Sequence, residues 1–313
     1  MRTGHWLLLL LITLLSMPVA DANPRQARLV MNNWVTQNVV TLITAELLSK
    51  KGFTPAFVDS TSADQWYLFQ RNEADIQMEV WQGTMEADFS IYKARGVIID
   101  AGNHDASTRE EWWYPDYVEE LCPGLPDWKA LRACSEIFST EFSPKGVYYA
   151  GPWEKYDHIR VQALKLDFKV IELPTEGDLW DRLYKAVNAK EPIVLFNWTP
   201  NWVEREFDGR FVEFPEYDEE CESNPAWGVN KDWTWDCGNP KGGWLKKVVR
   251  TGYAEQNPCA FELIQRITFT GQALSRLAWL VEVYQYSPYN AASKWLEWNE
   301  KLWQKWLDYE CVR

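Results

Sequence analysis

Apolar residues recur along this chain with two alternating periods. Runs such as Arg28-Leu29-Val30-Met31 and Asp75-Ile76-Gln77-Met78-Glu79-Val80 have the length and pattern of short strands. Between them, Val39, Val40, Leu42, Ile43, Leu47 and Leu48 fall largely at helical spacing. The pattern predicts strand 28–32, helix 36–51 stopped by Gly52, strand 54–59, a helix near 63–72, strand 75–80, helix 84–95 stopped by Gly96, and strand 97–100. From about Trp112-Trp113-Tyr114-Pro115 a second unit repeats the alternation: strand 146–151, helix 155–166, strand 168–172, helix 178–189 and strand 192–197. Segment 201–243 has no steady period and is dense in Glu, Asp, Asn, Pro and Trp, so it reads as a loop excursion. Strand 248–251 then opens a helical tail, 258–284 and 288–309, where Trp295, Trp298, Trp303 and Trp306 read as a packed amphipathic face.

A βαβα order given twice implies an α/β fold of two mostly parallel, doubly wound units. No low-complexity linker separates them, which suggests a bilobed chain that crosses between lobes more than once and closes on a ligand by hinge motion. The expected division is residues 23–108 plus 245–313 for lobe 1 and 109–244 for lobe 2.

Three of the twenty tryptophans fall at matching places, because Trp34, Trp81 and Trp198 each end a strand-like run and precede a segment that reads as a helix start. Ligands of open α/β sheets sit beyond the carboxyl ends of the strands. Indole faces there would surround something small and cationic, since the negative face of the ring attracts positive charge.

Residues 1–22 read as a secretory signal: Arg2 supplies the charge, Trp6 to Leu15 the apolar core, and Ala20-Asp21-Ala22 the cleavage site. The remainder lacks a run of about 18 apolar residues that would span a bilayer. A net charge of −13 argues against nucleic acid and against anionic membrane surfaces. Six cysteines in an exported chain suggest disulfides. Sequence leaves the pairing open, and locality favours Cys122–Cys134 and Cys221–Cys237, with Cys259 and Cys311 left to pair. With no CxxC and only three His, a zinc site is disfavoured. His104, in Gly102-Asn103-His104-Asp105, reads as a loop residue, and no GxSxG or HExxH motif marks an enzyme. The acidic stretch Glu213–Glu222 lacks the ligand spacing of a calcium loop and reads as solvated.

Several short motifs, in order, resemble the periplasmic substrate-binding proteins of ABC importers for glycine betaine, choline and trimethylamine N-oxide. They are Met31-Asn32-Asn33-Trp34, Met78-Glu79-Val80-Trp81, Glu111-Trp112-Trp113-Tyr114-Pro115-Asp116-Tyr117-Val118, Gly151-Pro152-Trp153-Glu154 and Phe196-Asn197-Trp198-Thr199-Pro200-Asn201-Trp202. The resemblance implies a type II periplasmic-binding-protein fold with an interlobe cleft. It also implies an aromatic cage of Trp34 and Trp81 from the first lobe and Trp153 and Trp198 from the second, with Trp113 or Tyr117 as a further wall. Trp202 reads as helix packing. Glu154 departs from the betaine binders: a carboxylate there repels a ligand carboxylate but accepts from a choline hydroxyl or shares a proton with an N-oxide oxygen.

The expected function is therefore that of a monomeric, periplasmic solute-binding subunit with no cofactor and no catalytic role. It would deliver a trimethylammonium ligand to an ABC permease in the inner membrane, with trimethylamine N-oxide first, then choline, then glycine betaine. The rival reading is a secreted carbohydrate-binding or carbohydrate-active protein, since Trp also stacks on sugars. That reading needs an open cleft, and an enzyme of this kind needs two carboxylates across it.

Overall fold

The computed structural model describes residues 25–311 apart from Glu154. The expected signal segment 1–22 and Glu154 therefore lie outside the described residues.

The chain begins as the pattern predicts. Strand β1 (Gln26–Met31) leads to helix α1 (Val35–Lys50), β2 (Thr54–Asp59), α2 (Gln65–Gln70), β3 (Ile76–Trp81) and α3 (Gln82–Ala94). β4 (Ile98–Pro115) follows. The short helices α4 (Val118–Leu121) and α5 (Trp128–Cys134) lead into a second alternation of β5 (Gly146–Ala150), α6 (Asp157–Ala163), β6 (Phe168–Glu172), α7 (Glu176–Ala189) and β7 (Val194–Thr199). The excursion holds α8 (Val203–Glu206), β8 (Gly209–Phe211) and α9 (Glu220–Ser223), and is otherwise mostly irregular. β9 (Gly243–Arg250) then returns to the first half. It is followed by α10 (Thr251–Gln256), α11 (Pro258–Arg266), α12 (Gly271–Glu282), α13 (Pro288–Trp298) and α14 (Glu300–Leu307).

The strands lie in the order β2-β1-β3-β9-β4-β7-β5-β6, with β8 on β4. β1 is parallel to β2 and β3, and β5 is parallel to β6 and β7. The mostly parallel expectation is modified at the centre, where β9 runs antiparallel to both β3 and β4, and β4 runs antiparallel to β7.

The largest correction concerns β4. Sequence predicts a strand over 97–100 and a new unit near Trp112, yet residues 98–115 form one strand of 18 residues. Its polar middle, Gly102 to Glu111, lacks strand alternation because its partners change along its length. Residues 98–108 pair with β9 and residues 109–115 with β7 and β8. Register shifts between Asp100, Asn103 and Ser107 bend it on the way. β9 likewise starts at Gly243, ahead of the expected 248, because its first residues complete this crossing.

The tail is also broken more finely than expected. Instead of one helix over 258–284, α11 stops at Arg266 and α12 restarts after Thr270, whose hydroxyl accepts from the Ala273 backbone N–H. Tertiary groups cap the break. The buried Lys247 ammonium donates to Gln265 O at 3.1 Å and Ile267 O at 2.5 Å, satisfying terminal carbonyls. His104, expected in a loop, is buried in β4; its Nδ1 accepts from the Phe269 backbone N–H at 3.2 Å, while Nε2 donates to Met78 O at 2.7 Å. Burial, with Lys247 nearby, lowers its pKa to about 3, so the ring stays neutral. The span 288–309 splits at Asn299, whose side chain turns back to Trp295 O.

All six cysteines pair as Cys122–Cys134, Cys221–Cys237 and Cys259–Cys311, the middle pair stapling the excursion and the last tying α11 to the end of the described chain. Among the described residues, no helix is long and apolar enough to cross a membrane. Thiol labelling of denatured, unreduced protein is expected to find no free cysteine. Two or more reactive thiols would contradict this pairing.

Candidate functional site

Strand ends and the turns that follow them bring four indoles together. Trp34 follows β1 and caps α1 in extended conformation, and Trp81 ends β3 and caps α3 in the same way. Trp198 lies next to last in β7. Trp153 lies just beyond β5 and folds back over Gly151, where an added Cβ would come within 2.2 Å of its ring. These four, with Phe196, Met85, Thr84 and Glu110, line one space of about 300 Å³ including its mouth. Trp34, Trp81, Thr84 and Met85 come from the first half of the sheet, and Trp153, Phe196 and Trp198 from the second. Glu110 lies on β4, which joins the two.

The first-half indoles are held by a single carboxylate. Glu79 Oε2 accepts from Trp34 Nε1 at 2.7 Å, Thr36 Oγ1 at 3.0 Å and Trp81 Nε1 at 3.2 Å. Glu79 is wholly buried, its Oε1 has no partner among the described residues, and burial pushes its pKa up to about 7. Below it, Gln77 sits on the same face of β3, two residues away. Gln77 Oε1 accepts from Gln37 Nε2 at 2.8 Å and from the Glu79 backbone N–H at 3.0 Å. Gln77 Nε2 donates to Asn32 and Gln65, each at 2.5 Å. Apart from Glu79 Oε1, these side chains hold one another through several buried hydrogen bonds, which stiffens the group.

The second-half rings brace one another. Trp153 meets Trp198 edge-on at 5.0 Å between centroids, and Phe196 lies 5.6 Å from each. Trp180 backs Trp198 at 5.3 Å. Contacts also span the two halves. Trp153 Nε1 donates to Asn33 Oδ1 at 3.1 Å, and Glu176 Oε2 accepts from the Val35 backbone N–H at 3.0 Å. Glu176 Oε1 accepts from Trp180 Nε1 at 3.3 Å. Burial and then the charge of Glu282 push Glu176 well above the usual carboxylate range.

Of the residues expected from sequence, Trp34, Trp81, Trp153 and Trp198 line this space together. Trp113 does not; it is buried in β4 with its ring packed over Gly209, where an added Cβ would meet it at 2.0 Å. Tyr117 turns away to donate to Glu191 O at 2.8 Å. Trp202 packs among Trp180, Tyr184 and Phe207, as its reading as a packing residue anticipated. Glu79, Phe196, Glu110, Thr84 and Met85 went unrecognised. Strand periodicity offered a signal for two of them. Glu79 and Phe196 each precede a cage Trp by two residues and so share its face. Glu110 faces Trp198 directly across the β4–β7 ladder, but that register is invisible before the fold is known.

The comparisons with known proteins give the family and the fold. Residues 27–297 match the family described as the substrate-binding domain of ABC-type glycine betaine transport systems. The trimethylamine N-oxide-binding protein of Pelagibacter ubique is 31% identical over 285 residues, covering 87% of each chain. Among solved structures, a choline-binding protein of an ABC transporter in complex with choline superposes with a TM-score of 0.72 at 19% identity, covering 90% of this chain and 91% of its own. Lactococcal OpuAC, closed on glycine betaine, gives 0.69 at 16% identity, covering 90% and 99%. At such identities the two structures bear on the fold alone.

The buried carboxylates set the sign of the pH dependence of stability. Burial pushes Glu79 and Glu282 from 4.5 up to about 7, so each gains its proton more readily folded than unfolded. Their contribution is fully present below about pH 4.5 and is lost as pH rises through about 7. Ligand-free protein should therefore be more stable to urea at pH 5 than at pH 8. Glu79→Gln should shrink that difference by a few kcal/mol, on the order of 3. An unchanged difference would mean that Glu79 is ionised throughout.

Proposed function

The chain belongs to the family of substrate-binding domains of ABC-type glycine betaine transport systems, and we propose that it captures trimethylamine N-oxide in the tryptophan cage between its two lobes. It is a solute-binding protein of ABC transport and not an enzyme. The finer reading is of a monomer that collects its ligand in the periplasm, after removal of residues 1–22, and hands it to a permease in the inner membrane.

The observation that carries the ligand class is the convergence of Trp34, Trp81, Trp153 and Trp198 on one small space. A trimethylated nitrogen spreads its charge over methyl groups and donates no conventional hydrogen bond, so π-faces solvate it better than carboxylates do. Each desolvated contact contributes about 1–2 kcal/mol. Several together supply a large part of the roughly 8 kcal/mol that micromolar binding represents. The choice of trimethylamine N-oxide over choline and glycine betaine is supported by the relative from Pelagibacter ubique, which carries that ligand in its name. The carbohydrate reading has no support in the comparisons.

Lobe 1 is taken as residues 23–108 plus 245–313 and lobe 2 as 109–244. This division is supported by the change of β4 partners between Thr108 and Arg109 and by the start of β9 at Gly243. Closure would then hinge on these two crossings. Glu154 enters on its place in sequence beside Trp153, where its charge disfavours a ligand carboxylate.

Two experiments test the reading. Trp81→Ala or Trp198→Ala should weaken trimethylamine N-oxide binding by about 2 kcal/mol or more in calorimetric titration, from lost cation–π attraction and buried area. Wild-type affinity in both variants would remove the cage. Glu154→Gln should weaken trimethylamine N-oxide and choline while leaving glycine betaine unchanged or tighter. Equal loss for all three ligands would deny Glu154 any part in selection.

A further inference from the structure

The cage accounts for the trimethylammonium end of a ligand, and its far wall carries charge that this role does not use. Glu110 on β4 lines the space and is buried. Thr84, in the first turn of α3, donates its hydroxyl to Glu110 Oε1. Across the cleft, Lys155 reaches over from the second half. Its ammonium lies 3.4 Å from Thr84 Oγ1 and 3.7 Å from Glu110 Oε1, and its side chain is only 8% exposed. Gly83 makes room for this arrangement, since a Cβ there would fall 2.6 Å from Glu110 Oε2.

Among the described residues the group is under-satisfied. An ammonium carries three donors, and the two oxygens near Lys155 are at long range for a buried charge. Glu110 Oε2 is buried without a hydrogen-bond partner among the described residues. Leaving buried charges loosely paired is costly, so the arrangement is completed by something placed between them. Lys155 also sits 4.3 Å above the Phe196 ring, which lines the same space as the four indoles. The protein thus holds its own cation against the cage that would receive the ligand's cation. Two positive charges so close repel unless a negative atom lies between them.

We propose that Lys155, positioned by Thr84 and Glu110, recognises the negatively polarised oxygen of a zwitterionic trimethylamine, so that the site selects N-oxides over bare quaternary cations. This deepens the ligand reading above and rests on it. The Lys155 ammonium donates to the oxygen, and the cage receives the methyl groups. The Glu110 carboxylate balances the lysine while crowding out a second negative oxygen, which sets trimethylamine N-oxide ahead of glycine betaine. Lys155 also makes the contact only when the halves are together, so oxygen recognition is coupled to closure.

The test uses three probes by calorimetry on the full mature chain: trimethylamine N-oxide, glycine betaine, and tetramethylammonium as an oxygen-free probe of the cage. Wild type should bind trimethylamine N-oxide more tightly than tetramethylammonium. Lys155→Met should lose roughly tenfold or more for trimethylamine N-oxide, the scale of a hydrogen bond to a charged group. The same variant should keep or improve its affinity for tetramethylammonium, which also shows that the cage is still folded. Glu110→Gln should shift preference toward glycine betaine relative to trimethylamine N-oxide. Equal loss of both probes in Lys155→Met, or unchanged trimethylamine N-oxide binding, overturns the proposal while leaving the cage in place. If wild type binds none of the three, the ligand reading itself fails, and this one with it.

Discussion

One carboxylate oxygen receives the N–H groups of two indoles, and the cleft is organised around that contact. Glu79 lies in the centre of the first half-sheet, out of reach of water, where an ion without partners is strongly disfavoured. Its donors are Trp34, Trp81 and Thr36. Each hydrogen bond that settles the carboxylate therefore also fixes a ring that faces the cavity. The two tryptophans sit on different strand ends, so the contact fixes the relative placement of β1 and β3 at their carboxyl termini. The glutamine network beneath it removes the remaining freedom.

The second half of the molecule repeats this logic with a different tie. Glu176, the first residue of α7, holds Trp180, which backs Trp198, and reaches across to the first backbone N–H of α1. That N–H belongs to Val35, directly after Trp34. The two buried acids thus act on adjacent residues from opposite halves, one fixing the ring and the other the helix that follows it. Asn33 adds a third tie through Trp153. The residues that line the cavity and those that join the halves are neighbours in the chain.

Much of this was legible in the sequence, for reasons that differ by element. The strands and helices of the two alternations were legible because their apolar residues recur at regular spacing, as in α1, whose Val39, Val40, Ile43 and Leu47 are buried. The four cage tryptophans were legible through their place at strand ends and through family motifs. β4 was not, because a strand that changes partners halfway has no single buried face to write into its pattern. The helix break at 267–270 was hidden because its caps, Lys247 and His104, come from distant β9 and β4. Trp113 misled for a related reason: it lies on the strand that carries Glu110 but is buried with its ring over Gly209. Glu110, three positions earlier on the same strand, faces the cavity instead.

The distribution of charge around the cage follows from the same constraints. Glu79 lies directly behind two of the indoles, and its ionised form deepens the negative potential that a cation meets at their faces. A cation in the cage therefore favours ionised Glu79, whose proton is held near neutrality by burial alone. Glu110 also lines the cavity, and the Lys155 ammonium lies 3.7 Å from its Oε1. Carboxylates thus stand beside the cavity at Glu79 and Glu110, with one ammonium paired to the second. With Lys155 in its proposed role, a molecule with a methylated cationic nitrogen at one end and a small negative oxygen at the other is held in one orientation.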